Sequence, residues 1–370
     1  MDKENSYTRF IDHMRTFLIG LPESDVLMPL LEARLTPEEA DFLADLPFLP
    51  YTIEQLAEKF EMPADELSEK LDPLAGRGIV FRHESKETVR YALNDSMFNF
   101  YRSPFWAGKK DEGSRKLAVL ANRYFDKSYG REFAAYPTMG LRAIPINKTV
   151  KDTREIKPFE DVVQVVERED YACVAHCPCR QRKNLDPDTP SCRHETLNCL
   201  HFGRLARYMV KQGMGKEISK EETIEILNTA ADNGLVHGIS VNKTGIDSIC
   251  NCCSCCCMFV ESVHVLGLRG HHPSNYIVSV TEETCKGCGL CQDRCPTHAL
   301  RLEDSPEARN KTGKAPVLQK ERCIGCGVCA HKCPTRSLTL VQREYEQDYP
   351  ENLRELATRM GEERGRNPFA

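Results

Sequence analysis

The chain has 370 residues, of which 41% are apolar and 28% charged, and its formal net charge is -5. That length suits two or three domains with cores of their own, and the composition is globular rather than disordered or membrane-embedded. The slight acidity offers no general attraction for nucleic acid or anionic lipid.

Residues 1–47 read as helical, with Thr36-Pro37-Glu38-Glu39 as a helix start. Thr52-Ile53-Glu54-Gln55 is a second capping box, and Ile53, Leu56, Ala57 and Phe60 share one face. Pro63 opens a further helix carrying Leu67, Leu71 and Leu74, which ends at Gly76 and Gly78. Strands are expected at Ile79–Arg82 and Val89–Leu93, around the turn Glu84–Glu87. This order resembles a winged helix, a fold of many bacterial DNA-binding regulators. Further on, helices are expected around Arg115–Tyr129, at Phe159–Glu169, near Phe202–Lys211 and near Glu221–Asn233 after Ser219, with a strand at Arg142–Pro145. The segment 343–370 reads as a charged helix from Pro350 with a frayed polar end.

Nineteen cysteines stand out, fourteen of them between Cys250 and Cys333. Met1–Leu21 has no apolar signal core, and no stretch approaches the roughly 18 uncharged apolar residues of a membrane span. The expected setting is therefore a reducing cytoplasm, where dense cysteine means metal ligands rather than disulfides.

One internal repeat is clear, with a period of 38 residues from Cys285 to Cys323. Cys285, Cys288, Cys291 and Cys295-Pro296 read C-x2-C-x2-C-x3-C-P; Cys323, Cys326, Cys329 and Cys333-Pro334 repeat it. Three close thiolates wrap three corners of a cubane, and the fourth, turned away before Pro, ligates the other cluster. Cys285, Cys288, Cys291 and Cys333 are thus expected to hold one [4Fe–4S] cluster, and Cys323, Cys326, Cys329 and Cys295 a second. Over about 60 residues this stretch resembles the bacterial two-cluster ferredoxins. A zinc site fits poorly, since zinc motifs usually show two CxxC pairs. Ala299–Leu302, Val317–Gln319 and Ser337–Val341 read as short strands, and Asp304–Pro316 as a polar surface insertion and possible partner contact.

A second constellation comprises Cys177, Cys179, Cys192 and Cys199, followed by Cys250, Cys252, Cys253, Cys255, Cys256 and Cys257. Adjacent cysteines point apart, so the last six cannot all face one cubane; two metal centres, or one plus an exchangeable thiol, are expected. Together with Gly234-Leu235-Val236-His237, these motifs resemble a family of multi-cluster ferredoxin-like proteins of anaerobic bacteria and archaea, over roughly residues 155–342. Relatives often lack cysteine at the positions of Cys173 and Cys255, so these two are left unassigned and Cys177, Cys179, Cys192, Cys199, Cys250, Cys252, Cys253, Cys256 and Cys257 are the expected metal ligands. Cys173 reads as a small buried apolar residue. One or two further iron–sulfur clusters are expected here, with an unusual cluster or zinc as alternatives; the soft thiolates exclude calcium and magnesium. Nearby His201, His237, His264, His271 and His272 read as ordinary polar residues before ligands. Arg180, Arg182 and Lys183 either offset thiolate charge or form a solvated basic turn.

The chain lacks a G-x-G-x-x-G after a strand, a P-loop, a Ser-His-Asp pattern and an H-E-x-x-H motif. The expected class is α+β: a winged-helix-like docking domain at 1–100, a cysteine-rich iron–sulfur domain at 101–270, a ferredoxin domain at 271–342, and a helix and tail at 343–370. The expected function is low-potential electron transfer between redox protein partners, such as an oxidoreductase complex, with no catalytic residue assigned. The alternatives are a reductase with its active site among the central cysteines, and a redox-sensing DNA-binding regulator. Asp65, Glu66, Glu69 and Asp72 crowd the recognition helix and argue against nucleic acid.

Overall fold

Local capping fixes the helix starts that the sequence marks. In the computed structural model, which describes residues 3–85, 87–264, 266–268 and 270–369, Thr36, Thr52 and Ser219 each accept a bond from the amide three residues on. Glu39, Gln55 and Glu222 return the bond to the cap amide. The helices that follow run Pro37–Leu43, Ile53–Lys59 and Lys220–Asp232. Leu67, Leu71 and Leu74 lie on the inner face of the helix Ala64–Gly76 and are buried. Each such leucine contributes about 1.5–3 kcal/mol by leaving water. Gly78, at φ +73°, turns the chain after this helix where a Cβ would overlap the Ser103 side chain.

Strand β1 (Tyr51–Thr52) pairs with β3 (Val89–Leu93), which pairs with β2 (Val80–Glu84), giving a three-stranded antiparallel sheet beside the two helices. The middle of the chain builds a six-stranded antiparallel sheet from β4 (Leu141–Ala143), β5 (Ala172–His176), β6 (Leu197–Phe202), β7 (Lys216–Ile218), β8 (Val236–Ser240) and β9 (Ser248–Cys252). Its order is β4-β8-β9-β6-β5-β7. The C-terminal lobe contains β10 (Tyr276–Val280), β11 (Leu300–Asp304), β12 (Lys314–Leu318) and β13 (Leu338–Gln342), paired β10-β13 and β11-β12. Mixed helix and sheet agrees with an α+β class.

Several boundaries differ from expectation for identifiable reasons. The helix expected at Phe159–Glu169 runs Val162–Arg168, because Asp161 caps it through the amides of Val163 and Gln164. Glu160 is instead buried and accepts from the amide and side chain of Asn275. The helix expected at Arg115–Tyr129 begins at Glu112, capped by Asp111, and widens at Phe125–Tyr129 into a π-type turn. The expected insertion Asp304–Pro316 is partly hairpin, since β12 begins at Lys314. Its tip reaches back: Asn310 donates to the Cys285 carbonyl at 3.0 Å.

The expected frayed terminus is docked. After the helix Leu353–Glu362, Arg366 donates to the Leu18 carbonyl and pairs with Glu132 at 3.1 Å. Arg364 stacks on Tyr136 with its charge 4.0 Å from the ring centre. A single apolar core consequently runs from Tyr7 and Phe10 to Leu356 and Met360, and it takes in Cys252, Cys257 and Cys326.

Candidate metal centres

The two copies of the repeat fold alike. In each, a short 3-10 turn (Glu282–Thr284 or Lys320–Arg322) precedes the first cysteine. Gly287 and Gly289, and their counterparts Gly325 and Gly327, adopt left-handed φ between +64° and +80°. At Gly325 the requirement is steric as well: a Cβ would overlap Ser274 Oγ and the Tyr276 carbonyl. Short helices Leu290–Arg294 and Val328–His331 then present the third cysteine. Three residues past the last cysteine, His298 and Arg336 repeat the same positive φ.

This folding crosses the copies over. Cys285, Cys288 and Cys291 share a cavity with Cys333, walled by Leu290, Leu302 and Leu338. Cys323, Cys326 and Cys329 share another with Cys295, walled by Val278, Leu300, Leu318 and Leu340. Burial pushes the Cys291 thiol up to about 11 and the Cys326 thiol up to about 12. Burial of this kind disfavours bare thiolates at Cys291 and Cys326, so gathering further thiols around them calls for a compensating cation. Amides also point at the sulfurs: Gly287 N–H donates to Cys285 Sγ at 3.3 Å and Ala299 N–H to Cys295 Sγ at 3.1 Å. Such bonds stabilise negative charge on cluster ligands. The donor sets, apolar walls and amides fit [4Fe–4S] clusters.

The two cavities differ in depth. Cys288 is exposed, whereas Cys326 is buried in the same core as Cys252 and Cys257. The lobe is fastened there by Ile146 N–H to the Cys326 carbonyl at 3.2 Å. Arg294 reaches the Ala231 carbonyl at 3.1 Å, and His331 and Lys332 meet Asp232 at 2.7 and 2.8 Å.

Residues 284–337 match the 4Fe-4S dicluster domain family. That span contains all eight cysteines of the two cavities. No curated protein and no solved structure matches the chain. The dicluster match and the wealth of cysteine support an iron–sulfur electron-transfer role.

The central cysteines come together through the six-stranded sheet. β6 lies between β5 and β9, with Leu200 opposite Ile249, which sets Cys199 beside Cys250. Cys250 and Cys252 are two apart on β9 and so face the same side. Cys177 and Cys179 follow β5, at the start of the helix Pro178–Leu185. Side-chain contacts then link Cys177, Cys179, Cys257, Cys252, Cys250 and Cys199 in series. All six border one chamber of about 320 Å³, whose other walls include Phe17, Met97, Tyr101, Phe98, Leu356 and Met360. The remaining three of the late block, Cys253, Cys255 and Cys256, gather with Cys192. The block thus divides three and three, although Cys253 also borders the chamber and the adjacent Cys255 and Cys256, in the turn after β9, point to the same group rather than apart. Cys255, which the sequence left unassigned, belongs to the second group.

The basic residues after Cys179 are not a solvated turn. Arg180 and Arg182 are buried, and Lys183 pairs with Glu261 at 2.6 Å. Arg180 lies beside Cys177, Cys253 and Cys192, and Arg182 beside Cys179. Arg102, which sequence reasoning missed, lines the chamber near Cys250 and Cys199 and stacks on Phe98. Nothing local in the sequence marks it, since it meets the cysteines only through the fold.

Of the histidines, His201 touches a cysteine, with its Nε2 3.2 Å from Cys199 Sγ. Burial lowers His201 to about 3, and lowers His237 and His271 to about 4, which keeps all three neutral. His237 is engaged by Asn251 at 2.7 Å, and His271 packs on Phe259. His272 lies beside β4 through a bridge to Arg142, and the His264 side chain lies outside the described residues.

Cys173 stands apart. It is buried on β5 in an apolar cluster with Trp106, Leu205 and Met214, and burial alone pushes its thiol to about 12. Cys173→Ala is expected to leave iron and sulfide content unchanged and to cost about 1 kcal/mol of stability, a typical single-site loss. Metal analysis and an anaerobic thermal melt check both parts; a loss of iron would make Cys173 a ligand.

Proposed function

We propose that this chain carries low-potential electrons between redox protein partners. Two [4Fe–4S] clusters are assigned to Cys285, Cys288, Cys291 and Cys333, and to Cys323, Cys326, Cys329 and Cys295. Further iron–sulfur is assigned to Cys177, Cys179, Cys199, Cys250, Cys252 and Cys257. Bound in such sites, iron–sulfur clusters supply one-electron transfer. The observation that carries the proposal is the graded depth of the thiol sites. The Cys288 site opens at the surface, the Cys326 site is buried, and Cys326 shares its core with Cys252 and Cys257. The chain's own residues insulate that route with Val278, Leu300 and Leu340, and offset its negative charge with Arg102, Arg180 and Arg182.

Within this reading, residues 1–100 form a winged-helix-like docking module, 101–270 the cysteine-rich unit, 271–342 the ferredoxin unit and 343–370 a helical strap. The acidic face of the helix Ala64–Gly76 suits a basic protein partner better than nucleic acid. No described helix is long and apolar enough to cross a membrane. The chamber favours a second reading, a reductase whose substrate enters opposite the six central thiols.

The test is anaerobic. Protein reduced by dithionite and freed of excess reductant is expected to pass its electrons to an oxidised viologen in more than one equivalent per chain. Cys288→Ser is expected to slow this transfer at least tenfold. A protein that takes up no electrons would end the proposal. A cluster EPR signal that shifts on adding a small reducible molecule, with turnover, would move the assignment to the reductase.

A further inference from the structure

The group Cys192, Cys253, Cys255 and Cys256 differs from every other thiol set in the molecule. All four sulfurs lie within 4.8 Å of one another. Cys192 Sγ is 3.4 Å from Cys255 Sγ and 3.9 Å from Cys253 Sγ, and Cys255 Sγ is 3.6 Å from Cys256 Sγ. A single tetrahedral ion with metal–sulfur bonds of about 2.3 Å holds its four sulfurs about 3.8 Å apart. A cubane cannot do so, because each thiolate grips a different iron at a separate corner, which spreads the sulfurs. The molecule supplies its own comparison. The eight thiols of the dicluster region are nowhere gathered even in threes within that distance, among the described residues.

We infer that Cys192, Cys253, Cys255 and Cys256 bind one mononuclear, four-coordinate thiophilic ion, zinc or a lone iron, and not a cubane. The inference refines one site within the electron-transfer reading and rests on it only for the chain being a metal–thiolate protein. Side chains around the four cysteines hold them in position. Asn184 Oδ1 accepts from the Cys192 amide at 2.8 Å and fixes the loop that brings Cys192 across. Arg180 donates to the Glu195 carbonyl at 2.8 Å and to Asn198 Oδ1 at 2.7 Å, tying the far end of that loop down. Its guanidinium also faces Cys192 and Cys253, where four thiolates on a divalent ion leave a net negative charge. With all four positions filled by sulfur, the site is closed in the manner of a structural ion. It would staple the loop 186–196 to the turn 253–256.

The test uses the full chain, purified without oxygen. Where the ion is zinc, X-ray absorption at the zinc edge is expected to show only sulfur neighbours, at about 2.3 Å, with no iron shell. Cys255→Ala, at an exposed position, is expected to remove one metal equivalent per chain with no loss of sulfide. If that equivalent is zinc, the ion is zinc; if it is one iron, seen as a lost high-spin mononuclear signal, the ion is iron. Cys192→Ser is expected to give the same result. Loss of about four irons with about four sulfides would mean a cubane and overturn the inference. Unchanged metal content in both variants would overturn it too. Electron uptake at the dicluster sites is unaffected by either failure, so the two readings fall separately.

Discussion

Replacing Cys295 by Ser is expected to empty the cavity built by the second copy of the repeat, not the one built by its own. Cys295 follows Cys291 by four residues, yet its sulfur lines the cavity of Cys323, Cys326 and Cys329. Cys333, by the same crossing, completes the cavity of Cys285, Cys288 and Cys291. Pairs of substitutions expose the crossing because changes at independent sites add while changes at one site do not. Cys295→Ser with Cys326→Ser is expected to lose about four irons, no more than either alone. Cys295→Ser with Cys291→Ser is expected to lose about eight. Iron and acid-labile sulfide counts on oxygen-free protein read this directly; the opposite pattern would assign Cys295 to its own triplet. The effect on folding is expected to be large as well. The lobe's apolar interior is small and built around these cavities, so metal binding there is folding free energy. The hairpin β11-β12 and the paired strands β10 and β13 are expected to lose protection in hydrogen exchange once both sites are emptied.

The other large effect is expected at Arg180. It is fully buried and donates to the Glu195 carbonyl, Asn198 Oδ1 and the Asn251 carbonyl, joining β6 and the loop before it to β9, two strands that carry cysteines. Arg180→Gln cannot span these acceptors and removes a positive charge from beside Cys177, Cys253 and Cys192. Stranding one buried acceptor costs about 1–3 kcal/mol, and breaking a buried charge pairing about 3–5 kcal/mol. The expected loss is therefore at least about 3 kcal/mol of stability, together with loss of the central metal. Arg180→Lys keeps the charge but not the planar fork. It is expected to retain more metal than Arg180→Gln while remaining less stable than the natural chain. Anaerobic melts alongside metal analysis separate the two contributions. Full metal content in Arg180→Gln would show that the guanidinium plays no part in the thiolate site.

The dicluster lobe was legible because its signal is local. Cysteine spacing, glycines and Pro296 and Pro334 all lie within two short stretches. Helix starts at Thr36, Thr52 and Ser219 were legible for the same reason. Strand β10 was missed although Tyr276-Ile-Val-Ser-Val280 is a plain β-rich run; its partner β13 lies sixty residues away. The central sheet was harder still. Cys177, Cys199 and Cys250 meet only because β5, β6 and β9 pair antiparallel, and nothing in the local sequence states that pairing. Likeness to relatives leaves Cys255 unassigned, and only the geometry places it 3.4 Å from Cys192. The tail looked frayed because it is polar. Its arginines, however, find carbonyl and carboxylate partners in Leu18 and Glu132, which no periodicity reveals.

Electron transfer by this chain requires inorganic iron and sulfide held by these thiols, and counting both in protein purified without oxygen tests it most directly. About eight irons and eight sulfides are expected from the dicluster lobe, with further iron from the central cysteines. Colourless protein carrying no acid-labile sulfide would contradict it.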